Sequence, residues 1–217
     1  MQARIFLALV GFGLGTQAAI ADDNRWYATA DFGLGAAGSS TLLFSDGSNE
    51  QSATTDFSAS FAGGGSLGYR FDNGWALEAD VMYRRNEMDP VEVADLGSFD
   101  EGDLASLSLG LNVLYHFELP ALPKVNAYAG AGLVRIEEVD IDFDSAGAQE
   151  ISFETSDSAW QLKLGATYHV SDRWFIDGGL KYLDAGTVRM VQPSDPTQSI
   201  SADYSHVTAS VGVGIRF

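Results

Sequence analysis

Residues 207–217 read Val-Thr-Ala-Ser-Val-Gly-Val-Gly-Ile-Arg-Phe, and their apolar side chains fall on every second position: Val207, Ala209, Val211, Val213, Ile215 and Phe217. Between them stand Thr208, Ser210, Gly212, Gly214 and Arg216, which are polar or small. A period of two belongs to a β-strand whose faces meet different surroundings; a helix would repeat its apolar positions every third or fourth residue. The pattern recurs upstream. Trp160, Leu162, Leu164, Ala166, Tyr168 and Val170 interleave with Gln161, Lys163, Gly165, Thr167 and His169, while Trp75, Leu77, Ala79, Val81 and Tyr83 share a stretch with Glu78, Asp80 and Arg84 on the other parity. Charges at alternate positions are costly in a dry sandwich core. They suit a strand with lipid on one face and a polar barrel interior on the other.

Eight strands are predicted, at 25–36, 57–71, 75–86, 104–117, 125–136, 157–170, 174–185 and 202–217. In the fifth, around Tyr128, Gly130 and Gly132, the inward face is not evident from the residues. Links after the second, fourth and sixth strands are short (Asp72-Asn73-Gly74, residues 118–124 and Ser171-Asp172-Arg173), whereas odd-numbered strands lead into long polar segments. Short periplasmic turns alternating with long external loops are the bacterial barrel pattern, and an even strand count leaves both termini in the periplasm. Aromatic residues agree. Trp26, Tyr69, Phe71, Trp75, Tyr115, Phe117, Trp174 and Phe217 fall beside the short links as one interfacial girdle, with Phe61, Tyr83, Trp160, Tyr182 and Tyr204 as candidates for the other. The predicted fold class is all-β, an eight-stranded antiparallel up-and-down transmembrane β-barrel formed by residues 22–217.

Residues 1–21 read as a cleavable signal peptide: Arg4 gives a positive start, residues 5–14 are apolar, and Ala19-Ile20-Ala21 supplies small residues at a cleavage point. The apolar run is shorter than the roughly 20 residues of a spanning helix. Cysteine is absent, which excludes disulfides, thiolate metal sites and lipid attachment at an N-terminal cysteine. A formal net charge of −18 excludes a phosphate-binding basic stripe and with it a nucleic-acid partner. Hydrophobic residues at 46%, with 24 glycines, separate the chain from acidic disordered proteins.

With these features the chain resembles the small bacterial outer-membrane β-barrel superfamily that includes opacity-type surface proteins and the membrane domain of outer-membrane protein A. The resemblance spans the mature chain and rests on the signal peptide, on Tyr128-Ala129-Gly130-Ala131-Gly132, on residues 174–182 (WFIDGGLKY) and on residues 211–217. It implies that Val211, Val213, Ile215 and Phe217 form an assembly signal read by the outer-membrane assembly machinery, and it places the protein in the cell outer membrane among lipid and lipopolysaccharide. The chain departs from the branch that carries a periplasmic domain, because it stops at Phe217, so no cell-wall tether is expected. A monomer without a cofactor is expected.

Strand alternation gathers Asp31, Glu78, Asp80 and Asp177 with Arg70, Arg84, Lys163, Lys181 and Arg216 on inward faces, a nearly balanced interior charge network. An eight-stranded barrel is just wide enough for its own side chains, so paired charges there predict a plug in place of a pore. The negative excess falls in two segments, one with Glu87, Asp89, Glu92, Asp95, Asp100, Glu101 and Asp103, the other with Glu137, Glu138, Asp140, Asp142, Asp144, Glu150 and Glu154. Such carboxylates offer oxygen ligands that would bind divalent cations and bridge to lipopolysaccharide, although charge runs are more often solvated surface. Asp140-Ile141-Asp142-Phe143-Asp144 is not a calcium loop, since Ser145 takes the place of the turn glycine and Ile151 that of the bidentate glutamate; it reads as a strand rising above the membrane. Gly63, Gly65 and Gly68 have a nucleotide-loop spacing but no helix follows them.

The leading function is a structural or surface-interaction protein with long acidic loops on a rigid mount. One alternative is a lipid-modifying enzyme, for which His206 beside Ser205 and Ser210 is the suitably placed histidine, His116 and His169 lying toward the periplasm. Another is lateral transport of small hydrophobic molecules, for which the sequence offers no apolar lumen. N-terminal sequencing of the mature protein is expected to begin at Asp22; a mature chain that keeps residues 5–14 in the inner membrane would remove the export argument.

Overall fold

In the computed structural model, residues 25–37, 40–45, 50–55, 59–88, 91–93, 97–99, 101–144 and 151–217 are described. The expected signal peptide lies outside them. Twelve strands form: β1 (Trp26–Ala37), β2 (Ser40–Ser45), β3 (Glu50–Thr55), β4 (Ser60–Arg70), β5 (Trp75–Met88), β6 (Val91–Val93), β7 (Gly97–Phe99), β8 (Glu101–Glu118), β9 (Val125–Asp144), β10 (Ile151–His169), β11 (Trp174–Gln192) and β12 (Asp195–Arg216). Eight of them pair in the order β1-β4-β5-β8-β9-β10-β11-β12, and β12 returns to β1, so the sheet is an antiparallel up-and-down ring. Closure runs from Tyr27 opposite Arg216 to Ala37 opposite His206.

Three short links define one end, the turn end. In the first, Gly74 takes a φ of +86°, a conformation glycine adopts without strain, and Phe71 N–H donates to Trp75 O at 2.8 Å. Asn73 Oδ1 accepts from Trp75 N at 3.2 Å, which ties the same turn.

Alternation decides which side chains face out. Phe32, Leu111, Leu133, Leu164, Val211 and Val213 are exposed on the outer surface, while Asp31, Asn112, Lys163 and Thr208 are buried within. The fifth strand of the ring, β9, turns Tyr128 and Val134 inward and Leu133 outward. The outer apolar belt on β11 runs from Trp174 to Tyr182, nine residues, matching the roughly 9–11 that a tilted strand needs to cross a bilayer. Around the turn end the girdle is built from edge-on pairs, Trp26 with Tyr69 at 5.2 Å, Trp75 with Tyr115 at 5.1 Å and Tyr115 with Phe117 at 4.9 Å. Toward the loop end Trp160 meets Tyr182 at 5.4 Å. Tyr204 does not join that girdle. It shares the parity of His206 and Thr208, points inward and hydrogen-bonds Ser106 Oγ at 2.8 Å.

Above the belt the outer face becomes polar at Arg85, Arg135 and Asp184, yet the strands continue. Alternation in the sequence ends the seventh strand at Ala185; in the structure β11 runs on to Gln192 and pairs with β12. A bulge explains the difference. Gly186, with φ of +65°, interrupts the register between Asp184 and Thr187, so Leu183 and Val188 both face inward although their numbers differ in parity. Asp184 Oδ1 accepts from Gly186 N at 2.8 Å and fixes the bulge. A second irregularity on β9, between Ile136 and Glu138, carries that strand to Asp144.

The segment expected to be a long first loop contains β2 and β3. β2 pairs with β12 through Ser45, Phe44 and Leu43 opposite Ser199, Ile200 and Ser201. Leu42 and Phe44 thereby enter an apolar core with Leu104, Val134, Ile136, Leu183, Val188, Met190, Ile200 and Tyr204. This head fills the loop end of the barrel with apolar side chains, where the sequence predicts polar loops and no apolar lumen.

Val211 faces outward midway along the belt, opposite Phe32 on one side and Gly178 on the other. Val211→Arg is expected to destabilise the folded barrel in bilayers by about 2–4 kcal/mol, whereas Thr208→Ser, facing inward, should cost far less; equilibrium denaturation in lipid vesicles measures both.

Candidate functional site

The interior is stratified, because each ring strand contributes an inward residue at every second position along the barrel axis. At mid-height β5 presents Glu78 and Asp80, β10 presents Gln161 and Lys163, and β11 presents Lys181. Lys163 Nζ sits between Glu78 Oε1, which it contacts directly, and Asp80 Oδ2 at 3.6 Å. Lys181 Nζ reaches Asp80 Oδ2 from another side at 3.4 Å. Gln161 Nε2 donates to Asn112 Oδ1 at 2.6 Å and to Asp80 Oδ1 at 3.2 Å, and Tyr27 Oη donates to Glu78 Oε2 at 2.9 Å. These four charges are about 5% exposed, so each would be strongly disfavoured alone.

Of the nine charges gathered by alternation, the structure brings these four into ion pairs and holds the other five apart. Asp31 accepts from Thr29 Oγ1 at 2.9 Å, and Asp177 from Tyr128 Oη at 3.0 Å. Arg84 lies one level nearer the head, donating from Nη1 to Ser108 Oγ at 2.8 Å. Arg70 and Arg216 lie at the turn end, half-buried. Neither makes an ion pair with a carboxylate among the described residues.

Between the mid-height layer and the turn end the lumen is not filled. A cavity of about 660 Å³ opens there, lined by Asp31, Arg70, Glu78, His116, Asp177 and Arg216 among others. The sequence predicts a plug in place of a pore; side chains fill the lumen at mid-height and in the head. Inward positions of β4 and β12 there carry Gly68, Ser66, Gly212 and Gly214. The room at the three glycines is taken by Tyr27, Asp31 and Phe175. A Cβ on Gly68 would lie 2.2 Å from Cζ of Tyr27, so this glycine admits the ring that binds Glu78.

His206 has a partner that the sequence reading missed. Its Nε2 lies 2.8 Å from Ser60 Oγ and its Nδ1 3.1 Å from Thr208 Oγ1. Ser205 and Ser210, proposed from proximity along the chain, are not bonded to it; Ser60 comes from β4, across β1. Gly35 on the intervening strand makes the approach feasible, since a Cβ there would meet His206 Cε1 at 2.3 Å. Inward parity on neighbouring strands was the only available signal. Ser60 and His206 are 0% and 1% exposed, so this pair is sealed inside the wall. His116 and His169 sit toward the turn end, as expected from sequence. Side chains of most of the acidic residues in the two loop segments lie outside the described residues, and no cluster suited to a metal ion occurs among the described ones.

A closed ring with an apolar outer belt, aromatic rims and ionised residues locked inside defines a transmembrane β-barrel. The family model for the outer membrane protein beta-barrel domain matches residues 5–217, and the chain belongs to that family. Among solved structures it is similar to the outer membrane protein OprG from Pseudomonas aeruginosa, with 18% identity, coverage of 89% of this chain and 96% of that one, and a TM-score of 0.63. Neisserial surface protein A has 21% identity, covers 88% and 97%, and gives a TM-score of 0.52. A major outer membrane protein from Thermus thermophilus has 14% identity, covers 88% and 99%, and also gives 0.52. No curated protein sequence matches the chain. At these identities the likeness is one of fold; membership of the outer membrane protein beta-barrel family places the protein in the outer membrane.

Removing one member of the mid-height layer leaves its partners buried and undercompensated. Lys163→Met is expected to cost about 3–5 kcal/mol, read as a shift of the urea midpoint in micelles. The double variant Glu78→Gln/Lys163→Met should recover much of that loss; a double variant destabilised by the sum of the two single variants would show that the pair is not coupled.

Proposed function

We propose that this is a surface-exposed structural or interaction protein, in which the barrel is a mount and the loop-end head carries the contact surface. The observation that carries this reading is the head itself. Strands β8 to β12 continue beyond the belt and, joined by β2, enclose an apolar core of their own, so the loop end presents a folded surface and closes the lumen beneath it. The turn end faces the periplasm in this reading, with both termini on that side, since short periplasmic turns and long external connections are the bacterial arrangement. Acidic residues crowd the head's hairpins. In backbone register, Glu101 lies opposite Asp144 and Asp103 opposite Asp142. That arrangement favours lipopolysaccharide bridged by divalent cations as the partner, with the protein acting as a monomer.

A lipid-modifying enzyme is less well supported, because the nucleophile in a His206–Ser60 dyad would have no access to lipid, and Thr208 occupies the position of the acidic orienting group. Passage of apolar molecules has one observation in its favour, the apolar lining of the loop end, but those side chains pack against one another.

A verified monomer in planar bilayers is therefore expected to form no wide, stable channel, and large reproducible conductance would overturn the closed-lumen reading. In cells, shortening 87–103 and 137–154 should lower calcium-dependent lipopolysaccharide binding while leaving the amount of folded barrel unchanged. If the shortened protein binds normally, or if His206→Ala abolishes a change in lipid composition caused by the wild type, the contact-surface reading fails.

A further inference from the structure

We propose that the turn-end cavity holds a small soluble oxyanion, a carboxylate or a phosphate, between Arg70 and Arg216.

The case begins with partners. Elsewhere in the barrel each cation near the cavity has an anionic one: Lys163 has Glu78 and Asp80, Lys181 has Asp80, and Arg25 at the rim has Asp72 at 3.0 Å. Arg70 on β4 and Arg216 on β12 have none among the described residues, in a chain with 30 acidic residues to 12 basic ones. Both line the same cavity. Each guanidinium carries five donors in a planar fork that matches two oxygens of a carboxylate or phosphate.

The groups that meet these arginines are neutral. Asn126 satisfies both ends of its amide only with Nδ2 toward Val125 O at 3.3 Å and Oδ1 toward His169 Nε2 at 3.0 Å and Arg70 Nη1 at 3.2 Å. In that orientation His169 carries its proton on Nε2 and donates it to Asn126. Arg216 Nη2, 3.2 Å from the same nitrogen, then faces a donor instead of an acceptor. Its remaining contact is the face of the Phe175 ring, 5.5 Å from Cζ to the centroid. A donor fork is thus held in place by packing and left short of an acceptor.

Three further groups set the bounds of the site. His116 lines the cavity with neither ring nitrogen partnered. Deeper in, Asp31 lines it with Oδ1 unpartnered, and Asp177 stands two strands away on the far side of Gly212. These carboxylates repel an anion from the mid-height layer, while at the mouth the two arginines outnumber Glu118, the rim carboxylate that lines the cavity beside the Arg25–Asp72 pair, and the low-dielectric wall focuses their field. The oxyanion is therefore held at the turn end and goes no deeper.

The test uses the full mature barrel refolded in zwitterionic micelles, so that no anionic headgroup competes. Sodium phosphate and, separately, sodium acetate are titrated against sodium chloride at matched ionic strength, following side-chain resonances of Arg70, Arg216, Asn126 and His169. Saturable shifts with either oxyanion and none with chloride are expected. Arg70→Gln or Arg216→Gln should weaken binding about tenfold or more, while Arg173→Gln, an exposed neighbour in the turn, should leave it unchanged. Shifts that never saturate, that chloride reproduces, or that persist equally in both glutamine variants overturn the proposal. The wild-type comparison with chloride decides the matter even where a variant does not refold.

Discussion

Every backbone N–H and C=O that faces lipid must be satisfied within the protein, because the hydrocarbon offers no water in exchange. The β1–β12 ladder meets that demand at the one place where the chain's two ends must find each other, from Tyr27 opposite Arg216 to Ala37 opposite His206. Without it the sheet would have two open edges in lipid. Once it forms, every strand has a fixed inner and outer face, and the chemistry of each side chain follows from parity. The buried lysines and carboxylates are tolerable only because closure presents their partners from other strands at the same height.

Much of this was legible in the residues. Period-two alternation gave the strands, the short links gave the topology, and the inward parity of Glu78, Asp80, Lys163 and Lys181 gave the members of the central layer. What alternation cannot supply is height and tilt. Arg84, Arg70 and Arg216 share the inward face with the acids, yet lie at other levels, and the offset between strands is set by shear, which no single strand encodes. The Ser60–His206 contact was hidden for the same reason, since it joins residues separated by a whole strand.

The head was misread through a different failure. At Gly186 one extra residue exchanges the inward and outward faces, so the alternation that marked Trp174 to Leu183 ceases to hold at Val188 and Met190. A reader following parity sees the strand end. The polar composition of the first connection likewise masked Leu42 and Phe44, two apolar inward positions in a six-residue strand.

The head's core draws Leu42 from near the start of the chain, Leu104 and Ile136 from its middle and Ile200 from near its end. Contacts so distant in sequence become near neighbours in space through the ring that joins first strand to last. The outward surface of the head is consequently a product of completed assembly. An antibody or phage that recognises it would register finished molecules and ignore chains stalled on the way into the bilayer.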